Sequence, residues 1–466
     1  MPMDSVNPAT EEALESYETH GEGDIDDLLD RADETFEEWR EHTITEREAL
    51  LERAGEVLRD NSEEYAELMT REMGKPIEQG RSEVEKCAWV CDYYAERAGE
   101  FLQDERVGGE TGADTFVARQ PIGPVLAIMP WNFPFWQVFR FAAPTLTAGN
   151  VGLLKHASNV PGCAKAIEGV FEEAGYPEGV FTTLMVGSDA IGDVISDDRV
   201  RAVTLTGSEG AGRNVGETAG KNLKHHVLEL GGSDPFVVLD DAPIERACEV
   251  GARARIINSG QSCIAAKRFI VHEDVYDEFL DGFLNEMESL RTGDPTDDDT
   301  DVGPQAREGL MEDLHEQVET TVEQGAEVRM GGEPMDRDGY FYPPTVLTDV
   351  PEGSPAESEE LFGPVAPVFS VPDEETAIEK ANDSNYGLGA SVWTEDLERG
   401  EHVARQFESG LAFVNELVQS DPRLPFGGVK DSGYGRELAK QGIREFVNEK
   451  TVWVSHGPSK ESDLVE

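Results

Sequence analysis

Of the five cysteines, only Cys263 lies in a stretch suited to exposing sulfur, the small, polar, turn-prone run Asn258-Ser-Gly-Gln-Ser-Cys263. A thiol so placed is a candidate nucleophile for an electrophilic carbonyl. Addition to an aldehyde gives a tetrahedral thiohemiacetal that can expel hydride, and addition to an ester gives a thioester without redox chemistry. Cys87 and Cys91 stand one helical turn apart beside Trp89, while Cys163 and Cys248 lie among alanines, so these four read as small buried hydrophobes. An odd count without a CxxC pair argues against a disulfide framework, and no metal site is expected.

The elements that must position Cys263 are legible as patterns. Ile25, Leu28, Leu29, Ala32, Phe36 and Trp39 keep helical spacing, and Thr45 with Glu48 reads as the capping box of a second helix, so the first hundred residues are expected to be mainly helical. From Pro124 short apolar runs alternate with helical stretches: Val125 to Met129, Val151 to Leu154, Ala202 to Leu205 and Val227 to Leu230. A helix is expected over Pro161 to Ala174, with Gly175 just past its end. This alternation implies an α/β fold with a parallel sheet that collects ligands at its carboxyl ends. Pro235 to Leu239 opens a second α/β segment that continues through Phe369 to the glycine-rich stretch near Gly427. Taken singly, other residues in these patterns read blandly. Asn132 is a turn residue, Glu229 a solvated strand end, Lys155 a snorkelling lysine and Glu360 part of an acidic cluster from Glu357. The turn Gly207-Ser-Glu-Gly-Ala-Gly212 follows a strand and opens a helix, but lacks the G-x-G-x-x-G spacing.

Six segments in order resemble the aldehyde dehydrogenase superfamily: Pro130-Trp-Asn-Phe-Pro134, Leu205-Thr-Gly-Ser208, Glu229-Leu-Gly-Gly232, Gly260-Gln-Ser-Cys263, Glu360-Leu-Phe-Gly-Pro364 and Pro425-Phe-Gly-Gly428. The resemblance implies a parallel-sheet dinucleotide-binding domain (1–102 and 122–231), an α/β catalytic domain (232–431) and small β oligomerisation strands (103–121 and 447–458). It makes Cys263 the nucleophile, Glu229 the general base that activates water, and Asn132 with the Cys263 N–H the oxyanion hole. Relatives that acylate coenzyme A generally lack the carboxylate at Glu229, so hydrolysis is expected. Toward a nicotinamide cofactor it assigns Trp131, Lys155, Ser158, Gly207, Ser208, Gly212, Gly231, Glu360 and Phe362. NAD-selective members often carry Glu where this chain has Ser158, so NADP is expected to be accepted alongside or ahead of NAD.

Within the family, Trp131 to Arg140, Ala265 to Ile270 and Pro425 to Glu437 are most similar to the succinate-semialdehyde dehydrogenases. Arg140 falls where those enzymes place a cation for the substrate carboxylate, whereas Ile257 occupies the place of a second arginine found in some members. Arg268 or Arg423 are candidates to substitute. The runner-up substrate is an uncharged aldehyde in a tunnel lined by Phe133, Trp136 and Phe426. A cysteine esterase lacks a reason for the cofactor positions, and an inactive scaffold lacks a reason to keep Asn132, Glu229, Cys263 and Glu360.

Composition fits a salt-adapted protein. Asp and Glu number 96 against 39 Lys and Arg, a net charge of -57, and the acids are spread along the chain as a coat. Such a coat repels itself in dilute buffer and is screened in concentrated salt. With no basic run, nucleic acid is not an expected partner. The acidic start and the lack of a membrane-length apolar run lead to an expectation of a cytoplasmic enzyme, and the resemblance suggests a homodimer or homotetramer.

Overall fold

The computed structural model describes residues 2–107 and 113–455; parts of the expected oligomerisation strands, 108–112 and 456–458, lie outside them. Two α/β units and a three-stranded antiparallel sheet make up most of the fold.

The first unit is built on a six-stranded sheet in the order Gly433–Tyr434, His225–Glu229, Ala202–Thr206, Pro124–Met129, Val151–His156 and Phe181–Thr183. All neighbours are parallel except Gly433–Tyr434, which runs antiparallel to His225–Glu229. The four central strands are the expected apolar runs shifted by one or two residues, and they are buried on both faces as helices on either side require. The helix Pro161–Glu173 starts at its proline and stops before Gly175, whose φ of +88° ends the helical path.

Three features depart from the sequence reading. The capping box of the second helix, Ile44–Asp60, is Thr43 with Glu46 rather than Thr45 with Glu48. The run Thr-Ile-Thr-Glu-Arg-Glu satisfies the pattern in both registers, and Glu48 instead accepts the Gly99 N–H at 2.8 Å from the neighbouring long helix Ile77–Leu102. An antiparallel hairpin, Met3–Val6 with Ala13–Tyr17, precedes the helices. Finally, the chain returns from the second unit to the first: Leu438, Ile443 and Phe446 join the first unit's core, and Gly433–Tyr434 adds to its sheet. No local pattern marks such a return.

The second unit carries a seven-stranded sheet in the order Glu327–Met330, Thr345–Thr348, Val365–Val371, Ala266–His272, Asp234–Val238, Ser391–Trp393 and Phe413–Val414, parallel except at the first pair. In the third sheet Val447–Ser455 pairs with Ala113–Pro121 along nine positions, and among the described residues no strand covers its other edge; Trp453 on this strand is 59% exposed. No helix among the described residues is long and apolar enough to cross a membrane.

Candidate active site

Cys263 follows a stretch of unusual backbone. The helix Ile244–Ile256 ends, and Asn258, Ser259 and Gly260 then take φ values of 53°, 56° and 79°. Three consecutive left-handed residues, two of them not glycine, persist only where the surroundings hold them. Here Gln79 Oε1 accepts from the Asn258 N–H at 2.7 Å, Ser259 Oγ accepts from the Gly303 N–H at 2.9 Å, and Gln261 Oε1 accepts from the Ala306 N–H at 2.9 Å. Gly260 has no room for a side chain, because a Cβ there would stand 2.2 Å from the Gly363 carbonyl carbon. After the cysteine, Lys267 Nζ donates to the Ser262 and Cys263 carbonyls at 2.7 and 2.8 Å. The nucleophile loop is therefore tied down on both sides of the sulfur.

Asn132 stands against this loop: its Nδ2 donates to the Gln261 carbonyl at 3.0 Å, and its own carbonyl accepts from Asn258 Nδ2 at 2.7 Å. One amide hydrogen of Asn132 is thus left over. Among the described residues no acceptor takes the Cys263 N–H. These are the two donors an oxyanion would need. The turn carrying Asn132 is anchored by Glu83, whose Oε1 accepts the Phe135 and Trp136 N–H groups at 3.0 and 2.9 Å and whose other oxygen is paired with buried Lys75. Nothing in the local sequence marks Glu83, inside the helix Ile77–Leu102, or Lys75 just before it.

Glu229 ends the strand His225–Glu229 and is buried, and neither carboxylate oxygen has a hydrogen-bond partner among the described residues. Burial, reinforced by Glu437 and opposed by Arg140 and Arg436, raises its pKa well above the usual range. Its Oε1 points along Gly427, where a Cβ would meet it at 2.7 Å, so a glycine is required there. Burial likewise pushes the Cys263 thiol up to about 12, against the pull of Lys267 and Arg140, and the resting sulfur is protonated. The other four cysteines are buried, with burial the first cause of their raised pKa values, as small core hydrophobes should be.

Cys263 opens into a cleft of about 660 Å³, whose walls include Phe133, Trp136, Arg140, Ile257, Lys86 and Phe426. All four residues expected at the substrate are present. Arg140 lines the cleft, and its guanidinium is also in contact with the Glu437 carboxylate and lies 4.4 Å over the Phe426 ring. Arg268 is likewise engaged, donating to the Ser233, Lys380 and Ala381 carbonyls, and Arg423 pairs with Asp421.

The positions expected for the cofactor gather at the carboxyl ends of the first unit's strands. Lys155 is half-buried near the end of Val151–His156, with its pKa lowered by burial and no ion pair to any described carboxylate. Ser158 follows, exposed in the loop. Ser208 caps the helix Glu209–Lys221, accepting from the Ala211 N–H at 3.4 Å, next to Gly207. A half-buried cation with no carboxylate partner among the described residues suits a phosphorylated dinucleotide. Gly212 instead faces inward, where a Cβ would meet Leu230 at 2.6 Å, so its small size serves helix packing. Glu360 accepts the Gly232 N–H at 3.1 Å and pairs with Lys267 at 3.2 Å, which couples this carboxylate to the nucleophile loop. A Cβ on Gly231 would lie 2.6 Å from Glu360, and the Trp131 and Phe362 rings meet edge to face at 5.7 Å. Lys267 is another residue that sequence reading passed over, because a lysine near the start of an apolar strand carries no signal of what its amine will reach.

The aldehyde dehydrogenase family model matches residues 1–452. A probable succinate-semialdehyde dehydrogenase [NADP(+)] of Synechocystis is 50% identical over 455 residues, covering 98% of this chain and 100% of that protein. Succinate-semialdehyde dehydrogenase [NADP(+)] 1 of Mycobacterium tuberculosis is 47% identical over 457 residues, covering 98% of this chain and all of its own length. A solved succinic semialdehyde dehydrogenase from Streptococcus pyogenes, in complex with NADP+, superposes with a TM-score of 0.95 at 39% identity, covering 97% of this chain and 99% of that one. The match over nearly the whole chain, with relatives at 47–50% identity, shows that the chain belongs to the aldehyde dehydrogenase family.

Proposed function

We propose that this protein oxidises succinate semialdehyde to succinate with NADP, and less readily NAD, as the electron acceptor. The observation that carries this reading is the Cys263 cleft, which joins aromatic walls to cationic side chains and opens on a nucleophile held by a strained, fully braced loop. The named substrate of the relatives supports the choice of aldehyde, and unpaired Lys155 beside Ser158 supports the phosphorylated cofactor.

Cys263 releases its proton to solvent in the open cleft and adds to the aldehyde carbonyl as the thiolate, and the carbonyl oxygen becomes an anion held by Asn132 Nδ2 and the Cys263 N–H. Removing one such donor costs about a hundredfold or more in turnover. The bound nicotinamide supplies the hydride acceptor. The resulting thioester on Cys263 is cleaved by water whose proton passes to Glu229, a buried carboxylate with no competing hydrogen bond among the described residues. The family setting also supports a cytoplasmic homodimer or homotetramer joined at the open edge of Val447–Ser455.

Turnover of succinate semialdehyde and hexanal with NADP and NAD tests the reading. Highest kcat/KM with succinate semialdehyde and NADP is expected, together with complete loss of aldehyde-dependent cofactor reduction in Cys263→Ala. A Cys263→Ala protein that turns over like the parent would overturn the mechanism.

A further inference from the structure

We propose that Lys267 is a positioning residue for nucleophile and cofactor together: its ammonium fixes the backbone that carries the Cys263 thiol and holds the Glu360 carboxylate in place for the cofactor ribose. This inference rests on the cofactor reading of Glu360 and names the group that keeps that carboxylate and the thiol in a common geometry.

Lys267 is the second residue of the strand Ala266–His272, and its side chain is 1% exposed. An ammonium has three N–H donors and no acceptor. Three acceptors surround this one: the Ser262 and Cys263 carbonyls at 2.7 and 2.8 Å and Glu360 Oε1 at 3.2 Å. The Ser262 carbonyl shares its trans peptide plane with the Cys263 N–H, which therefore points the opposite way, away from the amine. The Cys263 carbonyl lies in the next plane, so one ammonium fixes both planes that meet at the Cα bearing the thiol. The direction of the oxyanion donor is set with them. On the other side, Glu360 Oε1 also accepts the Gly232 N–H at 3.1 Å, whereas Oε2 takes no hydrogen bond from the described residues. Oε2 lies against Gly231, where a Cβ would stand 2.6 Å away, and it is left to accept from a ribose hydroxyl. Charge follows the same layout. Burial raises the pKa of Cys263, Glu360 and Asp234, and in each case Lys267 is the largest influence opposing it. Asp234 Oδ1 accepts the Gly389 N–H at 3.0 Å, and its Oδ2 has no partner among the described residues. A single cation thus serves the thiol and two buried carboxylates.

The test uses the full-length enzyme and two readouts that need no turnover. One is the rate at which iodoacetamide alkylates Cys263 without cofactor, followed by intact mass, and the other is the Kd for NADPH, followed by its fluorescence. Lys267→Met keeps the length of the side chain and removes the amine. At fixed pH it is expected to slow alkylation about tenfold, the thiolate lost when a neighbouring cation is removed. It should also raise the Kd about tenfold, the worth of a hydrogen bond to a charged group. Glu360→Gln should raise the Kd without slowing alkylation. Lys267→Met added to Glu360→Gln should slow alkylation as before but change the Kd by less than about threefold, because the amine acts on the cofactor through that carboxylate. If Lys267→Met does not fold, Lys267→Met/Asp234→Asn, which removes a buried carboxylate with the cation, is compared with Asp234→Asn, and the same two outcomes are expected. Alkylation within about threefold of the parent would overturn the role at the nucleophile. A Kd that Lys267→Met leaves unchanged, or raises equally in the Glu360→Gln background, would overturn the role at the carboxylate. A Kd that Glu360→Gln itself leaves unchanged fails the cofactor reading of Glu360, and the cofactor half of the inference fails with it.

Discussion

If Glu229 is the general base proposed above, its ionisation sets how fast the acid is released. Glu229 is buried, has no hydrogen-bond donor aimed at it among the described residues, and shares its surroundings with Glu437, so its neutral form is favoured until the solution is well above ordinary carboxylate pH. Only the ionised form can take a proton from water. Release of the acid should therefore rise with pH through the raised pKa of Glu229 and level off above it. Glu229→Gln should abolish that dependence and lower steady-state turnover by about 10²- to 10⁴-fold, the range general-base assistance commonly supplies. Rapid mixing should still show one equivalent of NADPH formed in the first turnover, with acylated Cys263 detectable by intact mass. Absence of both the burst and the acyl adduct would assign Glu229 to activation of the thiol. Cys263 itself was legible because five small polar residues precede it. The contacts of Lys267 and Glu83 were not, since a long polar side chain acquires its partner only when distant segments meet: Glu83 and the Phe135 N–H that it accepts are 52 positions apart.

At the scale of elements, the nucleophile is held by backbone that cannot relax. Arg255, buried at the end of Ile244–Ile256, donates to the Ala266, Gly260 and Leu361 carbonyls at 2.8, 2.9 and 3.2 Å and links the nucleophile loop to the segment bearing Glu360. Burial lowers this guanidinium to about 9, yet it remains charged at neutral pH. Gly260 lies at the junction. Gly260→Ala would force a Cβ into the Gly363 carbonyl at a φ of +79°, and it should cost about 2 kcal/mol or more while reducing kcat at least about tenfold. Gly169 provides the comparison. It lies within the helix Pro161–Glu173 with open space around its Cβ position, so Gly169→Ala should raise stability by about 0.5–1 kcal/mol and leave kinetics unchanged. Urea titrations and steady-state assays of the two variants check both outcomes. The regular elements followed from periodicity because each strand or helix buries its own apolar face. The capping box slipped by two residues for the opposite reason, since Thr43 and Thr45 satisfy the same local pattern and only the contact of Glu48 with Gly99 distinguishes them.

Across the whole molecule, charge is divided unequally between inside and outside. Arg140, Arg255, Arg268, Lys75 and Lys267 are buried, which removes cations from a surface already burdened by a net charge of -57. Exposed pairs such as Arg31 with Glu178 and Lys221 with Glu217 offset little of that excess, because each is solvated and weak. Self-repulsion over this surface opposes the folded state, and its range contracts from about 10 Å at 0.1 M salt to about 3 Å at 1 M. The same field repels both a semialdehyde acid and a phosphorylated dinucleotide from a cleft whose walls include Glu78, Asp298 and Asp301. Raising KCl from 0.1 to 2 M should therefore raise the unfolding temperature and also lower the KM for succinate semialdehyde, with a smaller effect on the KM for pentanal. Sucrose at matched osmolality, which leaves charges unscreened, should reproduce neither the full stabilisation nor the difference between substrates. Equal stabilisation by sucrose and KCl would assign the effect to solvent exclusion, and equal KM changes for the two aldehydes would separate the acidic coat from substrate capture.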